Sequence, residues 1–302
     1  MNWKLILLII LISSNSYEMR AQKILSNEKI DHKKLVVSAS SIGIVGSGSL
    51  IGLYHVWYKK SGLGQFHTFN DCGNWLQMDK AGHMYTSYMI SQFTGDLFKW
   101  SGISPKKASV IGASLGFAYQ TTLEIFDGLS PDWGFSFCDI GANTLGSILY
   151  LGQELFLDEP LFRLKFSSHL TNYAQYRPEI LGNNFAERIL KDYNGQTYWL
   201  SFSPGQFFKQ SNFPSWLCLS VGYSADQKLK ADSDYFSVNQ NGNIYEFNAQ
   251  REILFSLDID LSKLPVKSKW AKGLLKQINY LKIPFPTLIF SDKKITSSLL
   301  YF

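Results

Sequence analysis

The sequence predicts an α+β protein: an N-terminal bundle of about four helices, with embedding in a membrane as one of two alternatives, followed by a C-terminal antiparallel β-rich region. Three observations carry this. Between Asp79 and Gly146 polar residues recur three and four apart inside apolar, small-residue segments, which is helical spacing. After Gly195 the pattern changes to strict alternation, clearest in EILFSLDIDLS, where Phe255, Leu257, Ile259 and Leu261 face one way and Ser256, Asp258, Asp260 and Ser262 the other. Breakers such as Pro105, Gly128, Pro131 and Gly134 punctuate the first half.

Residues 1–21 read as an export signal, with Lys4, the apolar run LILLIILI, and small residues at possible cleavage points after Ser16 or Ala21. A polar linker occupies 22–34. The apolar stretch from Leu35 to Trp57 approaches the roughly 20 residues that cross a bilayer, and its Gly43, Gly46, Gly48 and Gly52 permit close helix approach. A buried bundle helix is the competing account. The GxGxxxG at Gly46, Gly48 and Gly52 is no dinucleotide loop, because no strand precedes it and no acid on a second strand follows.

The helical bundle spans 35–158. Its second helix begins near Asp79 and runs to about Trp100. Pro105 suits a first helical position behind a Ser104 cap, which makes Lys106 to Phe126 one helix. Ser136 caps the last helix, with Asp139 placed as in a capping box, and that helix reaches about Leu157. A connector is expected over 159–195, with a short helix around Ala186 to Asp192. Strands at YWLSFS, WLCLSVGY, EILFSLDIDLS, PFPTLIF and ITSSLLYF, with a helix from about Lys267 to Leu281, make up the β-rich region 196–302. One face of that sheet is expected to be covered, or to dock on a membrane; five strands are too few for a transmembrane barrel.

On the second helix Asp79, His83 and Ser87 form one stripe, and Asp139, Asn143 and Gly146 form another on the last helix. Glu124 and Asp127 share a face at a helix C-terminus, where the dipole disfavours acids, so they need a partner: His83, Lys80 or a metal ion. If the stripes face one another, the bundle has a polar heart. His83 and Glu124 would be base and acid, with Asp139 a third catalytic candidate; Asp79, Lys80, Ser87, Asp127, Ser136 and Asn143 complete the network. The lack of H-x-x-x-H or H-E-x-x-H leaves no metal site assigned, and the sequence leaves the cofactor unknown.

The succession D-K-x-x-H at Asp79–His83, then Glu124 with Asp127, then G-x-S-x-x-D ending at Asp139, and D-x-x-x-N-x-x-G to Gly146 resembles the YfiM-like family of predicted periplasmic lipoproteins, which has no established function. It is more remotely similar to VanZ-like membrane proteins. The resemblance covers about 68–152 and implies a periplasmic, membrane-associated protein. This chain departs from the lipoproteins in that its first cysteine is Cys72, so lipid anchoring through a cysteine just after the signal is not expected.

A rival motif lies inside the third helix. GASLG, from Gly112 to Gly116, matches the nucleophile elbow of serine hydrolases, with Ser114 as nucleophile, His169 as base and Asp139 or Asp158 as acid. Little before residue 107 could build the sheet that an elbow requires.

A net charge of +5 without basic runs among aromatics excludes a nucleic-acid partner. Cys72, Cys138 and Cys218 show no metal spacing, although one pair could form in an oxidising compartment. The expected partner is a membrane lipid or envelope component, on the periplasmic side, with the outer membrane preferred over the inner. The expected role is a structural or headgroup-binding network, or a hydrolase of envelope lipid or glycan.

Overall fold

The computed structural model describes residues 30–59, 62–207, 213–292 and 294–302. The export signal and the linker as far as residue 29 lie outside the described residues. Helix α1, His32–Leu53, runs on through a π-helical turn at Tyr54–Tyr58. Asp31 starts it, its carboxylate accepting from the amides of Lys33 and Lys34. Among the described residues it is the one helix long and apolar enough to cross a membrane, and it is not a bundle core element. Ile44 is 73% exposed, and Val36, Val37, Val45 and Ile51 are exposed with it. Polar tethers hold it to its neighbours: Ser38 Oγ donates to Leu97 O, and the Ser49 and Tyr119 hydroxyls meet at 2.7 Å.

Three helices form the bundle proper: α2 Met78–Trp100, α3 Pro105–Leu129 and α4 Phe137–Phe156. Pro105 occupies the first turn of α3 as expected, but Ser104 makes no side-chain cap. The helices approach closely because glycines line their contacts. A methyl group at Gly112 or Gly116 would overlap Ser91 and Ser87 of α2, and one at Gly146 would overlap Met84. Ahead of α2, Trp75, Leu76 and Gln77 all have left-handed backbone, with φ of 52°, 53° and 64°. Such a run is costly for residues with a Cβ, on the order of 1–3 kcal/mol each. Tertiary contacts hold it: the Trp75 amide donates to Ala231 O, Tyr223 to Leu76 O, and Arg251 to Gln77 Oε1.

The second half is a six-stranded antiparallel sheet in the order β1-β2-β3-β6-β7-β8, with a separate β4-β5 hairpin. The strands are β1 Phe162–Ser168, β2 Gln196–Phe202, β3 Leu217–Asp226, β4 Tyr235–Gln240, β5 Asn243–Asn248, β6 Gln250–Ile259, β7 Phe285–Ser291 and β8 Lys294–Tyr301. Short helices α5, Pro178–Leu181, and α6, Phe185–Lys191, lie between β1 and β2, and α7, Lys269–Ile278, between β6 and β7. The segment 159–195, expected as a connector, thus contributes an edge strand. Its strand Phe162–Ser168 escapes notice because Arg163, Lys165 and Ser167 make it look polar. The β4-β5 hairpin, unforeseen, turns at Asn241–Gly242, both with positive φ.

The sheet's two faces are inverted relative to an ordinary soluble sheet. Lys165, Ser201, Ser220, Asp258 and Thr287 sit on the buried face. There the Lys165 ammonium lies 2.8 Å from Asp258, which also accepts from Ser201, and Arg163 pairs with Asp260 at 3.0 Å. Across the other face run apolar rows in register, such as Leu164, Leu200, Val221, Phe255 and Leu288. Helix α2 covers the start of this face, packing Tyr85 and Tyr88 against Leu164, Phe166 and Tyr198. Tyr223 of β3 still packs with Leu76 and Met78, but elsewhere from β3 onward the face is bare: Leu219, Val221, Phe255, Leu257 and Leu288 are all exposed. Alternation left open which face is covered; it is the one carrying Ser256 and Asp258, not the one carrying Phe255 and Leu257.

Candidate functional site in the helical bundle

The polar stripes of α2, α3 and α4 do converge, but they divide into two clusters. The first is centred on Lys80, whose ammonium lies 2.6 Å from Asp71, 2.8 Å from Asp79 and 3.0 Å from Asp139. Sequence reasoning offered Lys80 to Glu124 and Asp127 instead; the fold gives it three other acids. Asp71 was missed altogether. It precedes Cys72, which forms a disulfide with Cys138, and Cys138 precedes Asp139. The crosslink brings the two carboxylates to the same lysine, and paired Asp-Cys and Cys-Asp steps were the available signal.

Ser136 joins the clusters. Its hydroxyl accepts from the Asp139 amide at 3.1 Å, the expected cap, and donates to Asp71. Its own amide donates to Glu124 Oε2 at 3.1 Å. Glu124, reaching in from α3, thus takes the role that a capping box gives its acid, and Asp139 is released to pair with Lys80.

The second cluster is His83, Gln120, Glu124 and Asn143. His83 Nδ1 lies 3.0 Å from Asn143 Oδ1 and 3.3 Å from the Gln120 amide, and Nε2 lies 3.5 Å from Glu124 Oε1. Donation of Nδ1–H to the nearer Asn143 oxygen leaves a lone pair on Nε2 directed at Glu124. Glu124 is 1% exposed and Asn143 fully buried, while the His83 side chain remains about one-fifth exposed, at 19%. Glu124 Oε1, Asn143 Nδ2 and Gln120 Oε1 are buried without a hydrogen bond.

Two expected members sit apart. Asp127 accepts from Tyr58 of α1 at 2.7 Å, and Ser87 donates to Asn143 O and meets Ser147, joining α2 to α4.

Electrostatics follow burial. Burial, with the Asp139 and Asp127 charges adding to it, pushes Glu124 up to about 9. Burial likewise lifts Asp79 and Asp127 to about 6 each, against Lys80 and Tyr58 respectively, and raises Asp139. Burial would lower the Lys80 ammonium, but the Asp79 and Asp139 charges hold it above its ordinary value. Asp71 goes the other way: burial is outweighed by hydrogen bonds from Lys80 and Ser136. A carboxyl that keeps its proton at neutral pH beside an imidazole can donate it, and an unpaired buried oxygen can bind a cation.

The chain's helical core can now be placed among known proteins. Residues 68–151 match the family described as predicted periplasmic lipoprotein (DUF2279). The family match begins at the Thr68 bridge to Phe135 and ends within α4, so it takes in α2, α3 and both clusters. It supports an exported location in the periplasmic part of the envelope. No curated protein and no solved structure matches the chain.

The serine-hydrolase alternative does not survive the fold. Gly112 to Gly116 lie within the unbroken helix α3, and Ser114 is exposed on its outer side with no strand-to-helix turn. The two glycines serve contact with α2 instead. His169 is an exposed residue after β1, its Nδ1 3.4 Å from Phe302 O.

Proposed function

We propose that this is an exported protein seated in a membrane of the cell envelope, with the outer membrane the preferred one. The carrying observation is the bare apolar face of the sheet. It continues the surface that α2 buries at β1 and β2, extends over β3, β6 and β7, and is backed by a buried polar face that carries the Lys165–Asp258 and Arg163–Asp260 ion pairs. Apolar-out, polar-in alternation suits lipid as the outer solvent. Helix α1 adds an exposed apolar length of the right order for a bilayer, and Phe137, Leu145, Ile148 and Phe156 continue the theme on α4. In this reading the bundle's polar network fixes helix register and presents its partly open His83 edge to lipid headgroups or another envelope component.

The test must separate the sheet from α1, which alone could anchor the chain. Phe255→Cys and Leu288→Cys in the full chain are labelled with a polarity-sensitive dye; Cys72 and Cys138 are crosslinked and Cys218 is buried, so labelling is selective. On phosphatidylethanolamine/phosphatidylglycerol vesicles both labels should shift to the blue and be quenched by brominated acyl chains. Labels that still report water with the protein fully bound would refute the seat.

A second reading, a lipid- or glycan-modifying hydrolase using His83, Glu124 and Asp139, is favoured by the protonated, buried Glu124 beside the solvent-reaching imidazole. A folded Glu124→Gln variant that fails to complement a deletion strain supports it; full complementation returns the network to a structural role.

A further inference from the structure

Two groups of acids and imidazole in the bundle have ligand atoms close enough to share an ion, and the fold treats them differently. In Asp71, Asp79 and Asp139 the atoms converge on one point, and Lys80 already fills it. In His83, Glu124 and Asp139 the atoms also lie within 4.8 Å of one another; here Lys80 reaches Asp139, 3.0 Å from its Oδ1, while among the described residues no lysine or arginine pairs with Glu124. Glu124 Oε1, on a side chain 99% buried, has no hydrogen-bond donor; Asp139 Oδ1 accepts no aligned hydrogen bond although Lys80 is near. A buried carboxylate oxygen without a donor is costly, more so when charged.

The imidazole is held as metal-binding histidines are. Asn143 fixes Nδ1, which orients the ring and leaves Nε2 facing Glu124 at 3.5 Å. Two acceptors across that distance repel unless a proton or a cation lies between them. The neighbourhood is also rich in acid: Asp71, Asp79 and Asp139 share the single Lys80 ammonium, and the Asp139 and Asp127 charges act on Glu124.

We propose that His83 Nε2, Glu124 Oε1 and an Asp139 oxygen form a three-ligand site for a divalent transition-metal ion, with zinc the best fit to one nitrogen and two oxygens. Three protein ligands leave one tetrahedral position for water or a substrate oxygen. The exposed edge of His83 is the route of entry. The site is independent of the membrane seat: the protein could bind metal without lipid, or lipid without metal.

The experiment uses the full chain in detergent, stripped with a chelator and titrated with zinc ion against a chromogenic competitor. One zinc per chain is expected. His83→Gln and Glu124→Gln should each weaken it at least tenfold, and Asn143→Ala by roughly ten- to a hundredfold, the usual effect of losing a ligand's orienting partner. His169→Gln, exposed after β1 and in contact with Tyr301 and Phe302, should leave it unchanged. X-ray absorption on the wild-type zinc complex gives a reading that no unfolded variant can confuse: light-atom donors with an imidazole signature. Failure to bind zinc stoichiometrically, equal affinity in the folded His83 and Glu124 variants, or sulfur in the coordination shell would overturn the assignment.

Discussion

Lys80→Met is the sharpest test of how the bundle's heart is held. The substitution keeps most of the side-chain volume and removes the one ammonium shared by Asp71, Asp79 and Asp139, at 2.6, 2.8 and 3.0 Å. The lysine side chain is 12% exposed and its partners are 16%, 13% and 6% exposed, so solvent does little to replace it. Removing one member of a buried ion pair typically costs about 3–5 kcal/mol, because the other charge is stranded. Here three are stranded, but they can take up protons. Asp79 titrates at about 6 even beside the lysine, and losing that charge moves it higher. Unfolded aspartates titrate near 3.9, so between pH 5 and 7.5 the folded variant binds more protons than the unfolded chain, and its stability rises as pH falls. Urea unfolding followed by circular dichroism should show a loss of about 3–5 kcal/mol at pH 7.5 that shrinks to under about 2 kcal/mol at pH 5. A loss below about 1 kcal/mol at pH 7.5, or one equal at both pH values, would refute the reasoning.

Three further outcomes follow from the same geometry. Replacing Cys72 and Cys138 with serine opens a crosslink spanning 66 residues, which chain entropy values at about 4 kcal/mol; a lowered melting temperature without loss of helical signal checks it. In chelated protein, Glu124, raised from 4.5 to about 9, makes stability fall as pH climbs from about 5 towards 9, because the folded state holds a proton that the unfolded chain has released. Glu124→Gln should flatten that slope in a series of melting curves, and an unchanged slope would place the titration elsewhere. Gly146→Val, driven against the Met84 carbonyl, should destabilise by at least about 1–3 kcal/mol, whereas Gly52→Ala, with nothing within 4 Å, should be neutral or slightly stabilising in the same denaturation assay.

The sequence by itself determined the elements whose signal is local. Periodicity and capping placed α2, α3 and α4 within a few residues, because a helix's own spacing decides which side chains share a face. Alternation found β2, β3, β6, β7 and β8. The stripes of Asp79, His83, Asp139 and Asn143 were legible for the same reason, and the polar heart with them. Tertiary structure decided everything that depends on which faces meet. Strand β1 went unseen because its inward residues are Arg163, Lys165 and Ser167, polar groups that only their distant partners Asp260, Asp258 and Trp199 make tolerable. The partner of Lys80 could not be read because Asp71 arrives from a loop through a disulfide, and the role of Glu124 at the Ser136 amide joins residues on different helices. Above all, alternation states that a strand has two unlike faces without saying which is covered. The covered face here is the polar one, because ion pairs formed across the sheet offset the cost of its burial and α2 covers only part of the apolar face.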